Sequence, residues 1–218
     1  MTLYADMEFS SFNTNWEDES ATKNTTCALD LNGHSVTVTQ TEPVKISGII
    51  FFIYSNVAGA QWHHESADYM FSMGVNKSGI RLGDTSSGAT QIKENITFFG
   101  KSIFTGLQSN GGSILGGVYE QSTPALTFIE LFNVSKIVYA KFTLAEGSAA
   151  LFGDTAATSA AAPEITNCQF SADASVYKLC KLGSRTAFLN LQLNVILHVG
   201  GIYHGKLATS SPLHSSIA

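Results

Sequence analysis

Apolar residues along the chain fall in short runs that alternate with polar residues, and helical periodicity is almost absent. Alternation with a period of two, bounded by turn residues, is typical of β-strands. The runs that predict strands cover residues 28–39, 44–54, 95–104, 126–132, 136–144, 164–170 and 188–199. Clusters of Gly, Asn, Asp or Ser separate most of these runs. This pattern predicts an all-β protein built as a sandwich, a barrel or a solenoid.

Local repeats favour the solenoid among these architectures. An aliphatic residue followed five positions later by phenylalanine occurs at Ile137 and Phe142. The same pattern returns 28 residues further on, at Ile165 and Phe170. In a solenoid, such residues stack on their equivalents in the next repeat. Tight corners need a residue that adopts the left-handed conformation, and we assign such corners to Asn133, Asn167 and Asn190.

Several segments resemble proteins of one fold family. The sequence ALDLNGHSVT at 28–37 is similar to the opening coil of right-handed parallel β-helix proteins of the pectin-lyase-like superfamily. The sequence PEITNCQFS at 163–171 is similar to one of their internal coils. Gly-Gly-aliphatic doublets at 111–114, 116–119 and 200–203 resemble the repeat of chlamydial polymorphic membrane proteins. The resemblance implies a right-handed parallel β-helix that is displayed on a cell surface and acts, without catalysis, in adhesion or recognition.

A second architecture stays open for the middle of the chain. Residues 49–104 carry the least regular repeats and suit an antiparallel jelly roll equally well. The matching function is that of a phage or viral structural or receptor-binding protein, either tailspike-like or a jelly-roll head. This alternative predicts a homotrimer, and its location would be the virion. In both interpretations, the expected partner is a host surface receptor or a glycan.

The sequence divides into three segments by composition. Residues 1–20 form a polar N-terminal segment, residues 21–205 a single β-rich domain, and residues 206–218 a small, polar tail that we predict to be flexible. The N-terminal segment carries acids where a signal peptide would need a basic start and an apolar run, so we predict no signal peptide in this chain. No apolar run is long enough for a transmembrane helix. The expected location is the cell surface, as part of a larger exported protein.

Composition narrows the class of partner. Apolar residues make up 44% of the 218 residues and charged residues only 13%, which argues against intrinsic disorder. The net charge is −5, and Lys and Arg do not cluster. Nucleic-acid binding depends on clustered cations that neutralise phosphates, so we predict no nucleic-acid partner.

Three cysteines are spaced too widely for a zinc or redox motif. We interpret Cys27, Cys168 and Cys180 as buried thiols that pack as small hydrophobic side chains. The alternative is a disulfide between Cys168 and Cys180 that leaves Cys27 free. Neither interpretation implies a metal or a cofactor, and we predict none.

The segment from Trp62 to Glu65 has the most chemical character in the chain. On a strand, His63 and Glu65 would share one face while His64 points away. A metal would need a third ligand, which the sequence does not supply. We therefore predict a ligand-binding site at Trp62, His63 and Glu65, with Trp62 as a platform on which a sugar ring stacks. The alternative is a loop or strand-end cluster that binds nothing.

Catalytic motifs are absent from the sequence. Neither a nucleophile elbow nor a phosphate-binding loop occurs, and no adjacent pair of aspartates is present. We therefore predict that the protein is not an enzyme. The alternative is a polysaccharide lyase or glycoside hydrolase on the same β-helix, with an acid such as Asp30 or Glu65 in its site.

Overall fold

The structure, a computed structural model, describes residues 1–15, 26–73, 79–85, 91–105, 112–125, 128–130, 136–146, 150–153, 164–172, 178–181, 187–189, 192–194 and 206–208. The described residues form strands, turns and bends, and none of them forms a helix. The prediction of an all-β protein is therefore confirmed. No helix long and apolar enough to cross a membrane occurs in this part of the chain.

The strands are short, and many of them alternate buried with partly exposed residues. In chain order they are β1 (Met7–Phe9), β2 (Thr14–Asn15), β3 (Thr26–Asp30), β4 (Ser35–Val38), β5 (Val44–Ser47), β6 (Ile50–Tyr54), β7 (Ala60–His64), β8 (Phe71–Met73), β9 (Gly79–Gly83), β10 (Ile96–Gly100), β11 (Phe104–Thr105), β12 (Gly112–Ile114), β13 (Val118–Gln121), β14 (Ile129–Glu130), β15 (Lys136–Val138), β16 (Lys141–Leu144), β17 (Ala150–Gly153), β18 (Glu164–Thr166), β19 (Gln169–Ala172), β20 (Lys178–Lys181), β21 (Ala187–Leu189), β22 (Gln192–Asn194) and β23 (Lys206–Ala208).

All pairs between the described strands are parallel, and the two partners lie three strands apart along the chain, except that β21 pairs with β23. No pair joins β11 to β14 or β20 to β23 among the described residues. The first sheet has the order β3-β6-β9-β12-β15-β18-β21-β23, and the second has the order β1-β4-β7-β10-β13-β16-β19-β22. Two smaller sheets follow the order β2-β5-β8-β11 and β14-β17-β20. We call three successive strands a repeat. A jelly roll needs antiparallel pairs, and the described strands form none, so this alternative is wrong for the described part.

The register of the strands explains the spacing seen in the sequence. Ile137 on β15 pairs with Ile165 on β18, and Phe142 on β16 pairs with Phe170 on β19. The repeated aliphatic and aromatic positions therefore lie beside each other in neighbouring strands. This confirms that the repeat in the sequence is a repeat in space.

Aromatic side chains form a column through the core. Phe98, Tyr119, Phe142 and Phe170 lie on four neighbouring strands of the second sheet and are almost completely buried. Their ring centroids are 4.9, 5.0 and 5.1 Å apart, and the rings are close to parallel. These distances match the spacing of neighbouring strands, so each ring stacks on its equivalent in the next repeat.

Corners between the first and second sheets use left-handed backbone. Asn167 has a φ of 54°, which confirms its predicted corner position. Tyr139 (φ 52°) and Gly116 (φ 142°) occupy the equivalent position in the two preceding repeats, because Ile114, Ile137 and Ile165 pair with one another two residues earlier. The predicted corners at Asn133 and Asn190 lie outside the described residues, as does the doublet at 200–203.

Close approach of two backbones requires glycine at one of these corners. Gly83 ends β9 with a φ of 95°, and a methyl group built on its Cα would overlap the carbonyl group of Gly116 in the next repeat. The amide of Leu115 donates to the carbonyl of Leu82 at 2.8 Å, which holds the two segments together. Only a residue without a side chain fits between them.

Strands also pair in the segments that flank residues 21–205. β1 and β2 lie within the polar segment 1–20 and pair with β4 and β5. Phe9 and Phe12 of this segment pack against the core. At the other end, β23 lies within the tail predicted to be flexible and pairs with β21. Backbone pairing thus includes residues that their polar composition had assigned to flanking segments.

Candidate functional site

Trp62 lies in the core. Its side chain has no exposed surface, and its ring packs against Phe12 and Phe71 at centroid distances of 5.7 and 5.5 Å. Its indole N–H has no hydrogen-bond acceptor among the described residues. A sugar ring stacks only on an aromatic face that solvent reaches. The structure therefore places Trp62 away from the surface position that a stacking platform needs.

The alternation predicted along this strand is confirmed. His64 is fully buried, whereas the side chains of His63 and Glu65 are 29% and 50% exposed. His63 Nδ1 lies 3.7 Å from Glu65 Oε2, and His63 Nε2 lies 3.0 Å from the side-chain oxygen of Gln61. His63 and Glu65 thus share the outer side of the second sheet, and their role in ligand binding stays a prediction.

His63 stacks on a second aromatic side chain that points outward. The rings of His63 and Phe99 are 4.5 Å apart and inclined by 7°. Their residues pair directly between β7 and β10. This contact belongs to a row of outward side chains that continues through Glu120, Thr143 and Ser171 on the next three strands.

A parallel row lies two residues earlier on the same strands. It consists of Gln61, Thr97, Val118, Lys141 and Gln169. We call the two rows together the outer face: Gln61, His63, Thr97, Phe99, Val118, Glu120, Lys141, Thr143, Gln169 and Ser171. All but Gln61 are partly buried, and Gln61 is exposed. The outer face therefore presents mainly hydroxyl, amide and charged groups at regular strand spacing.

A groove of about 300 Å³ crosses the outer face above β13, β16 and β19. Its size is at the lower end of the range for ligand pockets. Side chains from three strands and from the segment before β10 line it: Glu94, Val118, Glu120, Lys141, Thr143, Gln169 and Ser171. The groove is thus polar and lies two strands away from His63.

Charges in the groove are unequally compensated. Lys141 forms an ion pair with Glu94. Glu120 accepts a hydrogen bond from the Thr143 hydroxyl at 3.2 Å, and the Thr143 and Ser171 hydroxyls lie 3.3 Å apart. No Lys, Arg or His of the described residues forms an ion pair with Glu120. The charge of Glu120 is therefore the one that a ligand in the groove would meet.

The Asp30 carboxylate accepts hydrogen bonds at the turn between β3 and β4. Asp30 is 7% exposed, and its Oδ1 accepts from the amides of Asn32 and Asn56 at 2.9 and 3.1 Å. Its Oδ2 accepts from the Asn56 side chain at 2.8 Å. Three donors from the protein thus occupy the carboxylate, which stabilises the turn between β3 and β4. Asp30 and Glu65 lie on different sheets, and neither lines the groove.

Two of the three cysteines are described, and both are free thiols. Cys168 is a free, buried thiol, and burial raises its pKa to about 12. Its Sγ lies 3.3 Å from the carbonyl oxygen of Thr166. This confirms the buried-thiol prediction for Cys168 and contradicts a disulfide with Cys180. Cys27 is free and exposed, so the prediction of a buried thiol is wrong for this residue. The side chain of Cys180 lies outside the described residues.

His64 lies between two backbone carbonyl groups. Its Nδ1 is 3.0 Å from Met70 O, and its Nε2 is 3.1 Å from Gln40 O. Burial lowers the pKa of His64, and hydrogen bonds to backbone groups, that of Gln40 foremost, oppose part of this shift. Burial therefore favours the neutral imidazole, although this form can donate to only one of the two carbonyl oxygens.

Acidification is expected to destabilise the protein through His64. Because the pKa is lowered in the folded state, the unfolded state gains the proton first as the pH falls below about 6.5. The free energy of unfolding should therefore fall as the pH is lowered from 7.5 to 5.5. Urea unfolding across this range should give a shallower pH dependence for His64→Gln. The control His63→Gln retains His64 and should keep the original slope; equal slopes in all three proteins would contradict the assignment.

The sequence analysis missed the groove residues. Glu94, Glu120 and Lys141 belong to different strands or loops and form no motif. The sequence did carry one signal: Lys141 and Gln169 directly precede Phe142 and Phe170, the two phenylalanines that recur from one repeat to the next. An alignment of the outward positions of successive repeats, in addition to the inward ones, would have predicted that Lys141 and Gln169 are neighbours.

Neither a metal-binding arrangement in the described part of the chain nor a similarity to other proteins assigns a function to the groove. Within the described part of the chain, no group of three or more His, Cys, Asp or Glu side chains is arranged to hold a metal ion. No protein-family model, no curated protein and no solved structure matches this chain.

Proposed function

We propose that the chain folds as a right-handed parallel β-helix, that is, a solenoid. The support is that all described strand pairs are parallel and that, apart from β21 with β23, each joins strands three positions apart along the chain. Connections between parallel strands of one sheet are right-handed in nearly all proteins, which favours this hand. The left-handed corner residues and the aromatic column are also typical of stacked coils.

We further propose that the protein is a non-enzymatic recognition protein that is displayed on a surface and acts in adhesion. The observation that carries this proposal is the outer face with its groove. Polar side chains stand there in register across five strands, and neighbouring side chains hold Lys141 and Glu120 in place. Such a surface offers repeated hydrogen-bond partners to an extended ligand such as a glycan. Asp30, a candidate acid of the enzymatic alternative, accepts hydrogen bonds from Asn32 in its own turn and from Asn56 in the next repeat.

Binding to an array of oligosaccharides tests the proposed function. The full chain should retain at least one class of glycan, and Thr143→Arg should weaken this binding at least tenfold because a long side chain fills the groove. Thr26→Arg is the matched control, since it makes the same change at an exposed position of the first sheet. The proposed function is wrong if no glycan binds, or if both variants lose binding equally.

A further inference from the structure

We infer that the groove selects a glycan with a free amine, namely a polysaccharide that contains glucosamine-type sugars. This inference rests on the proposed function and names the ligand of the same site. It is carried by Glu120, the carboxylate on the outer face that no described cation pairs with, and by the hydroxyl groups beside it.

The charges of the groove favour a cationic ligand. Glu94 neutralises Lys141, so the groove has one remaining negative charge, on Glu120. A carboxylate has about four lone-pair positions, and the described hydrogen bonds to Glu120 use one of them. An ammonium group has three donors and the complementary charge. A uronic acid would instead bring a second carboxylate against Glu120, which is unfavourable.

The hydroxyl groups beside Glu120 use their protons within the protein. Thr143 has a single hydroxyl proton and donates it to Glu120. Its oxygen can therefore only accept from Ser171, which lies 3.3 Å away, and Ser171 can also donate to the carbonyl of Phe142 at 3.3 Å. Glu120 thus orients its neighbours so that they offer acceptors to the groove. A ligand that supplies donors, through an amine and several hydroxyl groups, fits this arrangement.

The size and the lining of the groove favour a sugar unit. A groove of about 300 Å³ is small, which suits a sugar unit better than the broad surface of a protein partner. Val118 adds an aliphatic contact, and Gln169 adds an amide at the other side. Both are the kinds of group that bind the apolar edges and the hydroxyl groups of a pyranose ring.

Isothermal titration calorimetry with defined oligosaccharides tests the inference on the full chain. The probes are a glucosamine tetramer, its N-acetylated counterpart and a galacturonic acid tetramer, at a pH that keeps the amine protonated. The glucosamine tetramer should bind about tenfold more tightly than the N-acetylated one, since acetylation removes the charge that pairs with Glu120. Binding of the galacturonic acid tetramer should be weaker than either.

Two variants separate the role of Glu120 from a general effect on the groove. Glu120→Gln keeps an acceptor for Thr143 but should remove the tenfold preference for the amine. Lys141→Gln removes the cation and should tighten glucosamine binding severalfold. Glu8→Gln is the matched control: Glu8 pairs with Thr37, which pairs with His63 in the same row, roughly 19 Å from Glu120. This control should bind like the original protein.

The possible failures are distinguishable. Tighter binding of the N-acetylated or galacturonic acid tetramer, with loss in Thr143→Arg, would overturn the inference and leave the proposed function standing. An amine preference that survives in Glu120→Gln would also overturn it. If none of the three probes binds and the array shows no ligand, the proposed function and the inference fail together.

Discussion

Replacing Gly83 by alanine is expected to lower the free energy of unfolding by about 4 kcal/mol. Two costs add: the positive φ of 95° is strained for a residue with a side chain, and the new methyl group would collide with the Gly116 carbonyl. Both groups are backbone, so the collision can be relieved only by separating two repeats. Chemical denaturation followed by circular dichroism measures the loss.

Gly59 provides the matched control for this prediction. Its φ is 92°, and no atom lies within 4 Å of a methyl group built on it. Gly59→Ala should therefore show the conformational cost alone, about 1–2 kcal/mol. If the two alanine variants are equally stable, the close approach of Gly83 to Gly116 does not exist in solution.

Replacing Phe98 by alanine is expected to cost about 3–5 kcal/mol, the usual loss for a large side chain removed from a tightly packed core. Phe98 is fully buried, and its ring stacks on Tyr119 at 4.9 Å. The substitution leaves a void in the aromatic column, and its neighbours in both adjacent repeats lose a contact. Thermal or urea unfolding of the purified variant measures this loss.

The neighbouring residue Phe99 is the control, because the two phenylalanines differ in direction and hardly in sequence position. Phe99 points outward and contacts His63. Phe99→Ala should cost only about 1 kcal/mol, mainly from that stacked pair. A larger loss for Phe99 than for Phe98 would mean that β10 faces the opposite way, which would also remove the outer face as described.

The sequence predicted the repeat well because inward positions follow strict rules. Ile137, Phe142, Ile165 and Phe170 are large, apolar and stacked, so their spacing shows directly in the sequence. The predicted strand at 136–144 is in fact two strands, β15 and β16, joined at Tyr139. The corner shifts the alternation by one residue, since the inward residues Ile137 and Phe142 are an odd number of positions apart. Tyrosine gives no sign in the sequence that it adopts the left-handed conformation.

The candidate site was harder to predict, for reasons of direction and distance. Trp62 was grouped with His63 and Glu65, yet residues one and three positions apart on a strand lie on opposite faces. Burial of Trp62 follows from that rule once His63 is placed outside. Glu94, Glu120 and Lys141 meet only through pairing between strands, and charged residues on a surface carry no pattern that fixes this pairing.

The orientation of the hydrogen bonds also determines how the molecule would bear force. The backbone bonds of parallel strands run between successive repeats, so tension applied between the two chain ends loads them one row at a time. The hydrogen bonds between two repeats then break one after another, at low force, and the repeats separate in sequence. Each would release roughly 23 to 32 residues, the separations of Ile137 from Ile114 and of Ile114 from Leu82, or about 80 to 110 Å of extended chain. Lengthening in such steps would dissipate a sudden pull along the chain.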